Sequence, residues 1–338
     1  MKVYFITNPI AQGWNPNEIE KFLTANEESI ALLSAALVRQ GGCDVSVYTS
    51  LNCGPLEWEG VKFRPLGLAA SAPDADVLVS YKTTIPWLWG TPRAHARVHW
   101  TVDAEGPWAA PVFNKLNLFV AISDFHASLM PWLKERNVHA LRVSPLGFDM
   151  RPFREHAQAR DPIALYTSSP DRGLETLLQD WPQISLNHPG LKKLLVTYDV
   201  NRLSTMGGPQ GAAYAAHLRM LAAAAPNVQF TGPLPREQHL TLLKKAQWYI
   251  HPLNRKEADL CGYGAQKAAL GGCMPVLNGL VGTGFAEFIR EAVPYREFLH
   301  GGTTPRNNGL FSRPALSWDT LAREFWLPEF EQALKERT

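Results

Sequence analysis

The stretch DLCGYGAQKAALGGCMPV, Asp259–Val276, decides how this chain reads. It runs as a glycine-punctuated loop into a small-residue helix, then a proline and a short apolar strand. A helix N-terminus carries unbonded backbone N–H groups and partial positive charge, so a turn of this kind is a ready anion site. Upstream, TSSPDRGLETLL at 167–178 has the same design: a strand, a turn holding Arg172 and Gly173, then a helix. Two phosphate-competent turns in one half of a chain imply a nucleoside-diphosphate ligand.

Outward from these turns, strand and helix patterns alternate. The second half reads as strand Ile163–Tyr166, helix Leu174–Trp181, strand Lys193–Tyr198, helix Ala212–Ala224, strand Val228–Thr231, helix Arg236–Ala246 and strand Trp248–Pro252. The glycine loop, its helix and strand Met274–Leu277 follow, and a closing helix is expected over Trp318–Glu336. In the first half, Lys2–Thr7 is an apolar strand. Asn26–Gln40 is an amphipathic helix with Ile30, Leu33, Ala36 and Leu37 on one face, stopped by Gly41-Gly42. Strands follow at Asp44–Tyr48, Asp76–Tyr81, Val98–Val102, Leu118–Ile122 and Ala140–Val143, with a helix over Phe125–Arg136. This alternation predicts parallel sheets covered on both faces. The polar, Pro- and Arg-bearing break at Gly147–Asp161 reads as an interdomain linker, and two open α/β domains would offer their strand ends to a cleft.

The length of 338 residues exceeds one ordinary core and fits two domains of about 150 residues each. A net charge of +2 neither demands nor excludes a polyanionic partner, because a local basic face can hide in a balanced total. Cys43, Cys53, Cys261 and Cys273 form no CxxC pair, so they read as reduced thiols of a cytoplasmic protein. His95 and His99 lie in a β-rich run, and no metal is expected there. No segment approaches the roughly 18 apolar residues of a membrane helix, and MKVYFIT reads as a first strand rather than a signal-peptide core. A soluble protein is expected, in the cytoplasm or peripheral at the membrane.

Taken in order, these pieces resemble the retaining nucleotide-sugar glycosyltransferases of the GT-B fold, the large bacterial "glycosyl transferases group 1" type family. The resemblance rests on NEES opening the first long helix, VAISDFHASLM, VSPLGFD, YTSSPDRGLETLL, VQFTGPLPREQHLTLLKKAQWYIHP, the Asp259–Val276 stretch and LSWDTLAREF. It implies an α/β GT-B fold of two Rossmann-like doubly wound domains facing across a cleft. Residues 1–152 would bind the acceptor, 153–316 the nucleotide-sugar donor, and 317–338 would form a helix returning to the first domain. It further implies sugar transfer from a UDP- or GDP-sugar with retention of configuration, without a metal or other cofactor.

On this resemblance Arg172 stands where the family places a phosphate-binding cation, stabilising charge on the departing oxygen. Ser168 and Ser169 replace a usual Gly-Arg and would donate hydrogen bonds instead. Gly262 and Gly264 let backbone approach a ligand closely, with the amides of Cys261 and Tyr263 between them. Asp259 keeps a carboxylate suited to donor-sugar hydroxyls, whereas Lys267 replaces an expected acidic residue with a cation. Three readings of Lys267 stay open: it meets a phosphate, Gln266 takes over ribose contacts, or the donor site is degraded and the protein only binds. In the first domain Asp103 is either a base or hydrogen-bond acceptor at the reacting sugar or an N-cap, with Glu105 near enough to substitute. Gly13 is a candidate for backbone passage along the donor phosphates. Lys82, at the end of strand Asp76–Tyr81, either faces the cleft or, as the preferred reading, is solvated; Trp87, Trp89, Trp100 and Trp108 read as core in preference to stacking on sugars or bases.

A front-face displacement is expected, since no covalent nucleophile is evident. The acceptor by family usage is a saccharide or lipid-linked glycan. A hydroxymethylated pyrimidine in DNA is the alternative, with Arg93, Arg97, Arg142, Arg151 and Arg154 as a basic face on the first domain. Oligomeric state is not readable from the sequence.

Overall fold

The computed structural model describes residues 1–7, 13–21, 24–84, 91–103, 115–131, 133, 140–154, 160–253, 259–278, 283–289, 292–303 and 315–336. The chain forms two compact units, Met1–Asp149 with Leu316–Thr338, and Met150–Ala315. Each is an open, mainly parallel sheet with helices in several of its connections.

In the first unit the strands are β1 (Lys2–Ile6), β2 (Asp44–Thr49), β3 (Leu56–Trp58), β4 (Val61–Pro65), β5 (Ala75–Tyr81), β6 (Ala94–Trp100), β7 (Leu118–Ala121) and β8 (Leu141–Val143). Their order across the sheet is β3-β4-β2-β1-β5-β6-β7-β8, and β3 is the antiparallel strand, paired to β4. From β1 the chain builds outward through β2 and β4, then returns to the other side of β1 to lay down β5 through β8. The direction of building reverses between β1 and β5. Ligands of open α/β sheets bind outside the strand carboxyl ends at such a reversal.

Local chemistry explains these elements. Helix α1 (Ala25–Gly41) ends because Gly42 takes a left-handed φ of 57° and its N–H returns to Val38 O. The β3–β4 hairpin was not expected from the sequence. It turns through Glu59 (φ 50°) and Gly60 (φ 76°), the positive-φ pair that tight hairpins require. Of the expected Phe125–Arg136 helix, Asp124–Ser128 is helical (α2), capped by the Ser123 side chain on His126 N, while 132 and 134–139 lie outside the described residues. The C-terminal segment is helical over Trp318–Leu321, Ala322–Trp326 and Leu327–Lys335. It packs on the first unit, where Trp326 sits 5.0 Å from the fully buried Trp100 ring. Trp100 is therefore core, as expected; Trp87, Trp89, Trp108 and Glu105 lie outside the described residues.

The second unit contains β9 (Asp161–Tyr166), α3 (Leu174–Asn187), β10 (Lys193–Val196), α4 (Asn201–Ala224), β11 (Val228–Phe230), α5 (Arg236–Lys245), β12 (Ala246–His251), α6 (Tyr263–Leu270), β13 (Met274–Leu277) and β14 (Val293–Pro294). Its sheet order is β11-β10-β9-β12-β13-β14, all parallel, with the reversal between β9 and β12. Helix α3 runs past the expected stop at Trp181 and through Pro182, because Trp181 and Ile184 on its inner face are buried in the core. Helix α4 begins upstream of the expected Ala212 and kinks at Gly208, just before Pro209.

Candidate functional site

The two turns singled out in the sequence meet at the β9/β12 reversal of the second unit. After β9, the residues Pro170–Arg172 form one tight helical turn, and Gly173 (φ 107°) redirects the chain into α3. After β12, Gly262 (φ 66°) opens α6. Gly262 is required twice over, since a side chain there would be strained by φ and would strike the Phe285 ring. A Cβ on Gly264 would approach Tyr249 Oη to 2.7 Å, so its small size sets how closely α6 packs on β12.

Arg172 joins the turns. Its Nη1 lies 3.3 Å from Asp259 Oδ2, while Asp259 Oδ1 accepts the Gly262 N–H at 2.7 Å. Asp259's side chain is 6% exposed and that of Arg172 is 37% exposed, so a buried carboxylate anchors a guanidinium that still reaches solvent. Among the described residues Asp259 is the guanidinium's only hydrogen-bond partner, Asp171 adds to its electrostatic hold, and Arg172 Nε is buried without a hydrogen bond. A guanidinium carries five N–H donors in a planar fork, leaving most of them for a ligand with paired oxygens. Ser168 and Ser169 lie half-buried in the same turn, and Tyr166 Oη donates to Ser169 O at 2.6 Å.

Several residues hold this arrangement rather than extend it. Gln266 is buried and its Nε2 donates to Cys261 O at 2.7 Å, so this side of the amide pins the loop. The expected cradle of amides is also partly engaged: Gly262 N–H serves Asp259, and Tyr263 N–H serves the Cys261 thiol. Burial pushes that thiol far above its ordinary range, so it stays protonated. Lys267 is half-buried, its Nζ 5.3 Å from the centre of the Tyr263 ring.

The sequence reading missed His251 and Tyr249, which stand beneath the ion pair. His251 Nδ1 is 3.4 Å from Tyr249 Oη and 3.9 Å from Asp259 Oδ2. Its Nε2 is buried with no partner among the described residues. Burial drives its pKa down to about 4 against the pull of Asp259, so the ring is neutral near pH 7. The signal was present: a histidine closing the apolar run WYIH marks a polar group at the carboxyl end of a buried strand.

In the first unit, Asp103 and Lys82 come together. Lys82 Nζ is 3.0 Å from Asp103 Oδ2, and the Lys82 side chain is 19% exposed, so the expectation of a solvated lysine is corrected. The Asp103 carbonyl accepts from Thr101 Oγ1 and His126 Nε2, each at 3.1 Å. His126 Nδ1 accepts the Ile122 N–H, which leaves the ring proton on Nε2 to make that bond. Gly13 (φ 61°) is held by its own chain: a Cβ would crowd Ser50 O and Asn52 N at 3.0 Å, and Trp14 N–H donates to Ser50 O. Of the arginines read as one basic face, Arg151 and Arg154 belong to the second unit, and Arg142 Nε bonds Glu329 Oε1 at 3.1 Å.

No protein-family model matches the sequence, and no curated protein matches it. Solved structures do match the fold. The catalytic domain of starch synthase IV from Arabidopsis thaliana superposes with a TM-score of 0.61 at 10% identity, covering 98% of this chain and 99% of that one. A trehalose-6-phosphate enzyme structure from E. coli gives 0.59 at 9% identity over 100% and 94%. Sucrose-phosphate synthase from Thermosynechococcus elongatus gives 0.58 at 13% identity over 82% and 81%. The chain thus has the α/β GT-B fold, built of two Rossmann-like units.

Proposed function

We propose that this protein is a glycosyltransferase, moving a sugar from a nucleoside-diphosphate sugar to an acceptor hydroxyl. The observation that carries the reading is the Arg172–Asp259 pair, set across the reversal point of the second unit at the mouth of α6. The fold supports it, since relatives in fold were solved with ADP and with UDP-2-fluoro glucose.

In this reading the donor diphosphate lies against Arg172 and the N-terminus of α6, with Lys267 one turn along the helix. The second unit is the donor domain and the first, with Asp103, the acceptor domain. The bond from the anomeric carbon to the phosphate oxygen breaks and the acceptor oxygen bonds to that carbon on the same face. The acceptor's proton passes to the departing phosphate, whose charge Arg172 stabilises. The guanidinium and the helix dipole supply the positive charge, so a metal is not needed for this step. The acceptor is a saccharide or lipid-linked glycan, and the protein works in the cytoplasm; no helix among the described residues is long and apolar enough to cross a membrane.

Thermal unfolding with UDP, GDP and ADP, free and as sugar conjugates, tests the reading. A ligand at a hundred times its Kd stabilises by about 2.7 kcal/mol, a rise of roughly 5–10 °C in a unit of this size. No shift with any of them at millimolar concentration overturns it. Binding without transfer to any acceptor would instead mark a degraded site that only binds.

A further inference from the structure

The first unit carries its own charged pair at its own reversal point, and its geometry is strained. Lys82 directly follows β5, the strand beside the β1/β5 reversal, and Asp103 stands three residues past the end of the adjoining β6. Lys82 has φ +68°, a left-handed conformation that L side chains rarely adopt. Two other non-glycine residues among those described share a positive φ: Glu59 and Asn227. Glu59 forms a hairpin turn and Asn227 is a residue type that tolerates this region, so Lys82 alone is a long side chain held there at the end of a buried strand.

The strain is maintained from several sides. Lys82 N–H donates to Trp100 O at 3.0 Å, and Trp100 is fully buried. The partner carboxylate is fixed through its own backbone, by Thr101 and the buried His126. Glycine would satisfy the backbone with no strain, and lysine stands there instead. Strain held in place at a strand's carboxyl end is the pattern of functional positions.

We propose that Lys82 is a specificity-determining residue for the acceptor, presenting with Asp103 a paired ammonium and carboxylate to the hydroxyls of an uncharged saccharide. The pair is electrically balanced: the carboxylate accepts from one hydroxyl while the ammonium donates to its neighbour. An anionic acceptor, such as a sugar phosphate, would meet the Asp103 charge, whose side chain is the more open of the two at 42% exposed. This deepens the transferase reading and rests on it for the word acceptor, but the binding it describes is measurable without a donor.

The test uses the full chain and three variants, Lys82→Gly, Lys82→Asn and Asp103→Asn. Binding of maltose, methyl α-mannoside and glucose 6-phosphate is followed by ligand-observed NMR, beside melting temperature and UDP and GDP binding. Lys82→Gly releases the strain but also loses the ion pair to Asp103, so the melting temperature is expected to stay within about 4 °C of wild type. The same substitution should weaken the neutral sugars at least about tenfold while leaving nucleotide affinity within about twofold, the loss of a charge-assisted contact. Lys82→Asn should weaken them equally, and Asp103→Asn should shift preference toward glucose 6-phosphate. A fall in melting temperature with unchanged sugar binding makes Lys82 a structural residue and overturns the proposal. So does a wild type that prefers glucose 6-phosphate, or one that binds nucleotide but neither neutral sugar. If the neutral sugars bind as expected and no nucleotide does, the donor assignment fails while this one stands.

Discussion

Replacing Arg172 by Met removes the guanidinium and keeps much of the stem volume, which makes it the sharpest probe of the second unit. Asp259 is then left with the Gly262 N–H and a neutral imidazole 3.9 Å away. Breaking a fully buried ion pair costs about 3–5 kcal/mol. Here the arginine side chain is 37% exposed, so water screens the pair and the loss falls to about 1.5–3 kcal/mol. In a unit of this size that lowers its melting transition by roughly 3–12 °C. Loss of charge-assisted contacts to a diphosphate is of similar size, which weakens UDP or GDP binding by about 10- to 150-fold.

Stability and binding separate in a double-mutant cycle with Asp259→Asn. Neutralising Asp259 removes the buried charge that Arg172→Met strands, so the double variant should regain about 1–2 kcal/mol relative to additivity. Nucleotide affinity should stay at the Arg172→Met level, because the amide restores the fold's electrostatics and supplies no cation to the phosphates. Calorimetric unfolding and titration with UDP and GDP measure the two quantities on the same four proteins. Wild-type nucleotide affinity in Arg172→Met refutes the donor-site reasoning. Strict additivity of the stability losses refutes the claim that Asp259 exists to hold Arg172.

The fold was legible because its signals are local. Apolar runs such as VYFI and WYIH, and stops such as Gly42, are written in a few consecutive residues. What escaped depended on neighbours distant in sequence. The β3–β4 hairpin turns on a Glu-Gly pair, and its pairing to β2 gives no local trace. Arg172 was identifiable from its turn, yet its partnership with Asp259 spans 87 residues and exists only through the pairing of β9 with β12. The same holds for Lys82: no composition or period distinguishes a solvated lysine from one locked at φ +68° against Asp103. Gln266 and the Tyr263 amide were read as ligand contacts because sequence cannot show that the loop already uses them.

Two further expectations concern charge. Lys267→Glu restores the acidic residue of the resembled pattern; if Lys267 faces phosphate, UDP and GDP affinity should fall about tenfold or more, and unchanged affinity by titration would eliminate that role. The buried histidines set the response to acid. Burial lowers His99 to about 3 and His126 and His251 to about 4, all below the unfolded value of about 6.5. Between those values the unfolded chain binds more protons than the native one, so stability is complete above pH 6.5 and declines as pH falls toward 4. Each such ring contributes roughly 1.4 kcal/mol per pH unit over that window. His99 and His126 both lie in the first unit and His251 in the second, so the first unit should lose stability about twice as steeply. Calorimetry at pH 7, 6 and 5 should therefore show the two transitions separating, with the first unit's dropping faster. His251→Gln should flatten only the second unit's slope; equal slopes in wild type and variant would show that this ring is not held neutral by burial.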